Sequence, residues 1–508
     1  MLTDFAKIWI CHFSRLVSNR EKLFCFTALE LNTGQIYECG PAQLENPPVA
    51  FDDHALFVFW DAPAEIGFFL ACDWPTPVRI INLSVESRLA ANGFPAFAGT
   101  SLFGALTERG LDSSGAVENA PINLTAIPNE NNSTVELDWA VTRCRLAVKA
   151  TARLFENMAA SIDVPLALYR GRFALASAKI ERTGIPIDTK TLAVIKAGWE
   201  TLYPQPTGHR LPNICVDDDG RHRFKVLPFA TITGRSQTQG CILEAPAWVR
   251  GLIKPSDGSA LAYLDWSAEE VGIAAAMSGD ENLRAAYLSG DCYMRFAIEA
   301  GAAPQGATRF THPSVRAEFK AVTLSILYGI GQEALARKLN STSINARDIL
   351  DRHRNIYPDY WRWSDNIIVT AFLTRSLSTV FGWKLHVVGR PRELMLRNFP
   401  VQAAGAEILR LAACLITEAG VRICATLHDA ILIESTAQKL SDDIELAQRL
   451  MAEASRIVLL DFELRTDVSA ARFPKRLYGA GGSAMWNKMM RQLRKTDAVA
   501  KSREHWRS

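Results

Sequence analysis

Residues 258–280 read GSALAYLDWSAEEVGIAAAMSGD. Residues 258–265 form an apolar run of strand length that ends on an acid, and residues 267–278 continue with the composition of a helix. Asp265 therefore stands at the open end of a buried strand, with Glu270 five residues further on. Taken alone, Asp265 and Ser267 also read as caps of the following helix.

Working outward, residues 422–434 read RICATLHDAILIE, two apolar strand arms with His428 and Asp429 at the turn between them. Aspartate is common in turns, so this segment too is weak by itself. Between the two acids, residues 314–328 have the pattern of a helix opened by Pro313 and closed by Gly329 and Gly331. Arg316, Lys320, Leu324 and Tyr328 recur every four residues and so share one slowly drifting face. A solvated charged face would look the same. Yet Arg and Lys one turn apart also suit a triphosphate, the Arg as a fork and the Lys as a point charge.

The ordered set D-x-S-x-x-E, R-x-x-x-K-x-x-x-x-x-x-x-Y-G and H-D resembles motifs A, B and C of family A DNA polymerases, bacteriophage-type members most closely. Thr233-Gly234-Arg235 and Arg397-Asn398-Phe399-Pro400-Val401-Gln402 extend the resemblance, which covers roughly residues 165–490. It implies an α+β multidomain chain, a right-hand polymerase with palm, fingers and a reduced thumb, preceded by a ribonuclease H-like α/β domain of exonuclease type. The implied segments are 1–163 for the exonuclease-like domain, 164–235 for the reduced thumb and connector, 236–280 and 386–480 for the palm, 281–385 for the fingers, and 481–508 for a basic tail.

The resemblance also implies the site. Asp265 and Asp429 would hold two Mg²⁺ ions, with Lys320 the third catalytic side chain. Arg316 and Lys320 would bind the triphosphate, Tyr328 would lie near the templating base, and Glu270 would gate against a ribose 2′-hydroxyl. Arg235, Asn398 and Gln402 would contact primer and template in the minor groove, where acceptor positions are similar for all base pairs. His428 would meet the primer-terminal phosphate. Primer-template DNA and dNTPs are the implied partners; any processivity factor is unidentified.

Three positions depart from the family pattern. Leu324 stands where an aromatic residue is usual, Gly272 where an arginine is, and Ala430 where an acid often follows the H-D pair. The front domain departs further. The D-x-E expected on its first strand aligns with Ala28-Leu29-Glu30, the next acidic block with Asp61 and Glu65, and the final Y-x-x-x-D with Arg143-Cys144-Arg145-Leu146-Ala147. Loss of aspartate at both ends predicts a domain without proofreading, a buried arginine there also repelling cations. The thumb is short, with only about 45 residues between Asp188 and Thr233, broken by Pro204, Pro206, Gly208 and Pro212.

At 508 residues the chain suggests two to four domains. A net charge of +2 means that any grip on nucleic acid comes from local basic surface. Residues 22–31 and 55–60 read as strands, residues 140–160 as a helix and 107–135 as a surface loop. The ten cysteines lack C-x-x-C spacing and read as reduced thiols in a cytoplasmic protein. No apolar run of membrane-spanning length and no secretory leader are expected. The tail after Trp486, with Lys488, Arg491, Arg494 and Lys495, reads as solvated and disordered. Three readings follow: an exonuclease-deficient DNA polymerase; a decayed phage-derived relic or DNA-binding scaffold with little catalysis; and a single-subunit RNA polymerase, which shares the palm motifs but which Glu270 disfavours.

Overall fold

The structure is a computed structural model. It describes residues 5–18, 21–49, 52, 54–94, 101–113, 133–199, 214–479 and 481–505. Most of the 107–135 loop and the proline-rich middle of the thumb lie outside the described residues. The chain divides into two compact units: Met1–Lys179 with Ile232–Gly234 and Ser325–Ala403, and Ile180–Thr231 with Arg235–Leu324 and Ala404–Ser508.

The first unit is built on strands β1 (Ile8–Ser18), β2 (Glu21–Glu30), β3 (Ile36–Cys39), β4 (Leu56–Phe59) and β5 (Ile80–Asn82), ordered β3-β2-β1-β4-β5 across the sheet. β1 runs antiparallel to β2 and parallel to β4. Side chains alternate between the two faces of a strand. Ile10, Leu29 and Val58 accordingly pack under Leu154 and Phe155 of the helix Ser133–Met158. Trp9, Cys11, Phe57 and Phe59 face the opposite way, onto Ile66 and Phe69 of the helix Ala62–Ala71.

This sheet corrects the alignment of the front domain. Its first strand is β1, so Ala28-Leu29-Glu30 belongs to the second, and β1 (IWICHFSRLVS) carries no acid at all. Glu30 instead caps a turn, accepting hydrogen bonds from the backbone of Ile8, Asn32 and Thr33. Glu65 is buried against β1, where His12 Nδ1 lies 2.6 Å from its Oε1 and Phe13 N donates to its Oε2 at 2.7 Å. Arg143 is half-buried, where the sequence pointed to a buried arginine.

The second unit centres on strands β6 (Ser259–Trp266), β7 (Arg422–Leu427), β8 (Ala430–Thr436) and β9 (Thr466–Arg472), ordered β7-β8-β6-β9 and antiparallel throughout. β6 is interior to the sheet, and Ala260, Leu261, Ala262 and Leu264 are fully buried. Between residues 184 and 235 the one described helix is Thr189–Ala197, nine residues long.

Two expectations change here. The basic tail is a helix, Gly482–His505, anchored by buried Trp486, Met489 and Leu493. Apolar residues at this helical spacing dock it, which the count of cations did not reveal. The helix Glu393–Glu418 is long and apolar enough to cross a membrane by length and composition, but 83% of that window is buried inside the fold, as for a core helix. All ten cysteines are unbridged.

Candidate active site

β7 and β8 are joined by a two-residue turn, His428-Asp429, in which His428 has φ 54°. A positive φ at the first turn residue matches the right-handed twist of a hairpin, and glycine usually supplies it. Here an exposed histidine does so. The turn is tied to the centre of the sheet because Trp266 N donates to Asp429 O at 3.1 Å. β6 pairs with β8 so that Asp265 stands opposite Ala430, one residue from Asp429. Beyond Asp265 the chain turns into the helix Glu269–Ser278 through Ala268, also left-handed at φ 51°. Asp429 borders His428, and Asp265 lies three residues before Ala268, both non-glycine residues in a sparsely populated conformation, a strain that clusters at functional sites.

The consequence is convergence. The register brings the carboxyls of Asp265 and Asp429 close enough to interact, and the Asp265 carboxyl is pushed up to about 7. Burial is the largest cause, followed by the charges of Asp429 and Asp467; Lys320 opposes. Two acids held this close repel when both ionise. A hard divalent cation relieves that repulsion and takes oxygen ligands, so the donor set fits Mg²⁺ chemistry.

Lys320 and Arg316 lie on the helix Pro313–Leu327 of the same unit. Arg316 is not a free fork: its Nε donates to Asp291 Oδ2 at 2.5 Å, and its guanidinium lies 5.5 Å from the Tyr293 ring centre. Lys320 is exposed, with Nζ 5.7 Å from the same ring. Leu324 is half-buried on that helix. Glu270 accepts a hydrogen bond from Arg235 Nη2 at 3.2 Å, which joins the Thr233-Gly234-Arg235 block to the strand-helix block.

Tyr328, Asn398 and Gln402 belong to the other unit. Tyr328 is 38% exposed just past the helix end, before Gly329 at φ 73°. Asn398 and Gln402 are half-buried on the helix Glu393–Glu418, and Oδ1 of Asn398 is a buried acceptor without a partner.

Sequence reasoning missed four side chains at this site. Asp467 on β9 is the register partner of Asp265, and residues directly opposite in an antiparallel pair share a face. Nothing in LRTDVSA announces it. Asp291 caps the helix Cys292–Glu299 and holds Arg316, while Tyr293 lies beneath both cations. Glu269 is 3% exposed, its Oε1 meets no partner, and burial followed by the charge of Asp429 raises its carboxyl well above the usual range. Helical spacing from Ile273 was the available signal for Glu269, since i and i+4 share a face.

The model of DNA polymerase family A matches residues 209–473, just over half of the chain. A thermostable DNA polymerase I of Thermus thermophilus is 26% identical over 263 residues, 47% of this chain and 31% of that protein. DNA polymerase I of Lactococcus lactis subsp. cremoris (strain MG1363) is 24% identical over 268 residues, 48% of this chain and 30% of that one. The match thus spans about a third of the length of these curated relatives. Among solved structures, the POL domain of Pol1 from M. smegmatis, in complex with DNA primer-template and dNTP, superposes with TM-score 0.70 over 91% of this chain and 95% of that one, at 16% identity. That likeness is one of fold.

Proposed function

The chain belongs to DNA polymerase family A, and from that premise we propose that it extends a DNA primer against a DNA template with deoxynucleoside triphosphates. The observation that carries this reading is the juxtaposition of Asp265, at the end of β6, with Asp429, in the hairpin turn tied to it by Trp266 N, in the same unit as Lys320 and Arg316. Asp265 and Asp429 are the residues that would hold two Mg²⁺ ions. Such ions, when bound, lower the pKa of an attacking hydroxyl and offset charge on a leaving pyrophosphate.

The side chains themselves divide the remaining work. Lys320 sets a point charge near the triphosphate, and Arg316, oriented by Asp291, directs its remaining donors to the same anion. Glu270, steadied by Arg235, limits room at the sugar and favours a deoxyribose. His428, exposed at the turn, is a donor for the primer-terminal phosphate. Tyr328 serves the templating base, and Asn398 and Gln402 the minor groove.

We also infer that the chain does not proofread. β1 carries no carboxylate, and Glu65 is engaged by His12 and by the Phe13 backbone. The unbridged thiols support residence in the cytoplasm.

Primer extension by the purified chain in Mg²⁺, beside the Asp429→Ala variant, tests the reading. Template-dependent extension that the variant abolishes is the expected result. A wild-type chain that binds primer-template but never extends it would identify a scaffold.

A further inference from the structure

The C-terminal helix Gly482–His505 is seated within the second unit through three glycines. An added Cβ would come within 2.5 Å of Ala247 O at Gly482, 2.4 Å of the Trp486 ring at Gly251 and 2.3 Å of Leu493 Cδ2 at Gly198. Gly198 closes the helix Thr189–Ala197, and Gly251 lies in the short helical turn Val249–Leu252. Arg476 ties the approach to both. Its Nη2 donates to Asp188, the N-cap of Thr189–Ala197, and its Nη1 donates to Gly251 O at 2.9 Å. Its guanidinium lies 4.9 Å from the centre of the Trp486 ring. Close approaches at three points fix which face of the helix is turned inward.

That face is Gly482, Trp486, Met489 and Leu493, at i, i+4, i+7 and i+11. Lys488 and Arg491 fall opposite it and Arg494 on its flank, all three exposed. Residues 482–496 hold four cations, counting Lys495, and no acid. Among the described residues no ion pair reaches Lys488, Arg491 or Arg494, and Arg491 Nε donates to Asn487 O of its own helix at 3.2 Å. Exposed arginines on other helices are paired one turn away: Arg352 with Asp348, Arg362 with Asp359 and Arg449 with Glu445. Like charges at this spacing repel. A polyanion laid along the face would offset that repulsion.

The face also starts close to the acids. Gly482 N donates to Gly479 O at 2.8 Å, and Gly479 lines a cavity of about 260 Å³ that Asp265 and Asp467 also line. At about 1.5 Å of rise per residue, Lys488, Arg491 and Arg494 stand roughly 9–18 Å along the helix from Gly482. One turn of duplex is about 34 Å, so these cations fall within the first turn of a duplex that ends at Asp265. We propose that the outer face of this helix grips the phosphate backbone of duplex primer-template through Lys488, Arg491 and Arg494. The choice of polyanion rests on the polymerase reading above. The three cations span about 9 Å, room for two to three phosphates of one strand at about 3.4 Å each. Such contacts position the duplex and carry no sequence information.

The test is equilibrium binding of primer-template by the full chain over a range of salt, without dNTP. Each phosphate contact contributes about 0.9 to the slope of log affinity on log salt. The triple variant Lys488→Gln, Arg491→Gln, Arg494→Gln should lose about two to three from that slope. Arg491→Lys with Arg494→Lys, which keeps the charges, should lose nothing. A second arm needs only wild-type protein: added duplex should protect Lys488 from an amine-acylating reagent. An unchanged slope in the triple variant, or a Lys488 that duplex leaves unprotected, overturns the proposal. So does a loss of binding to phosphatidylserine vesicles with the DNA slope intact, which would give the face to a membrane. A wild-type chain that shows the full slope, lost in the triple variant, yet never extends a primer would sink the polymerase reading and leave this surface standing. Extension by wild type with the slope unchanged in the variant would sink the surface alone.

Discussion

Arg235 donates from Nη2 to Oε1 of Glu270 across 3.2 Å, although 35 residues separate them. With Glu270 at the sugar as proposed, the pair would make the shape of that site depend on a residue of the Thr233-Gly234-Arg235 turn. Glu270→Ala is therefore expected to admit ribonucleotides, with discrimination falling about tenfold or more, since each 1.36 kcal/mol in a barrier is tenfold in rate. Arg235→Ala should shift the same ratio in the same direction by less. Competing dNTP and rNTP incorporation measures both.

Asp265 gives the chain a pH-dependent stability. Its carboxyl titrates at about 7 in the fold, against 3.8 ordinarily, because of burial first and the charge of Asp429 second. A raised carboxyl pKa means the native state holds the proton more tightly. The contribution is thus fully present below about pH 3.8 and is lost as pH rises to about 7. In metal-free buffer, wild type should lose roughly 2 kcal/mol relative to Asp265→Asn across that window, after discounting for solvent screening. Melting curves at several pH values read this out. Adding Mg²⁺ at pH 8 should raise the wild-type Tm and leave the variant's nearly unchanged.

Arg170 and Glu86 form a two-pronged pair at 2.7 and 2.6 Å, each 3% exposed at its side chain. Removing one partner strands a buried charge. Arg170→Ala should destabilise the chain by roughly 3–5 kcal/mol, and Arg170→Met with Glu86→Leu should recover much of that. Denaturant titration of the two variants decides it. Equal loss in both would contradict the prediction.

In the front sheet, Glu65 is expected to matter for stability alone. Glu65→Ala leaves the Phe13 amide without its acceptor and should cost about 1–3 kcal/mol. Single-stranded DNA incubated with wild type and Mg²⁺ should stay full length. Shortening from the 3′ end that Glu65→Ala removes would restore a nuclease role to this domain.

The order of the motifs, the strand ending at Asp265, the hairpin turn at His428-Asp429 and the helix bearing Arg316 and Lys320 were all legible in the sequence. Each depends on local physics, a period of two or of 3.6 residues bounded by turn and cap chemistry. What lay beyond reach was pairing between distant segments. That Asp467 stands opposite Asp265, that Arg316 is held by Asp291, that Glu269 is buried while Glu270 meets Arg235, and that β1 rather than β2 begins the front sheet are matters of register and burial. The chain's own pattern determined which residues could do chemistry. Only the tertiary structure decided which of them meet, because a one-residue slip between strands would turn every side chain to the other face while leaving the local pattern unaltered.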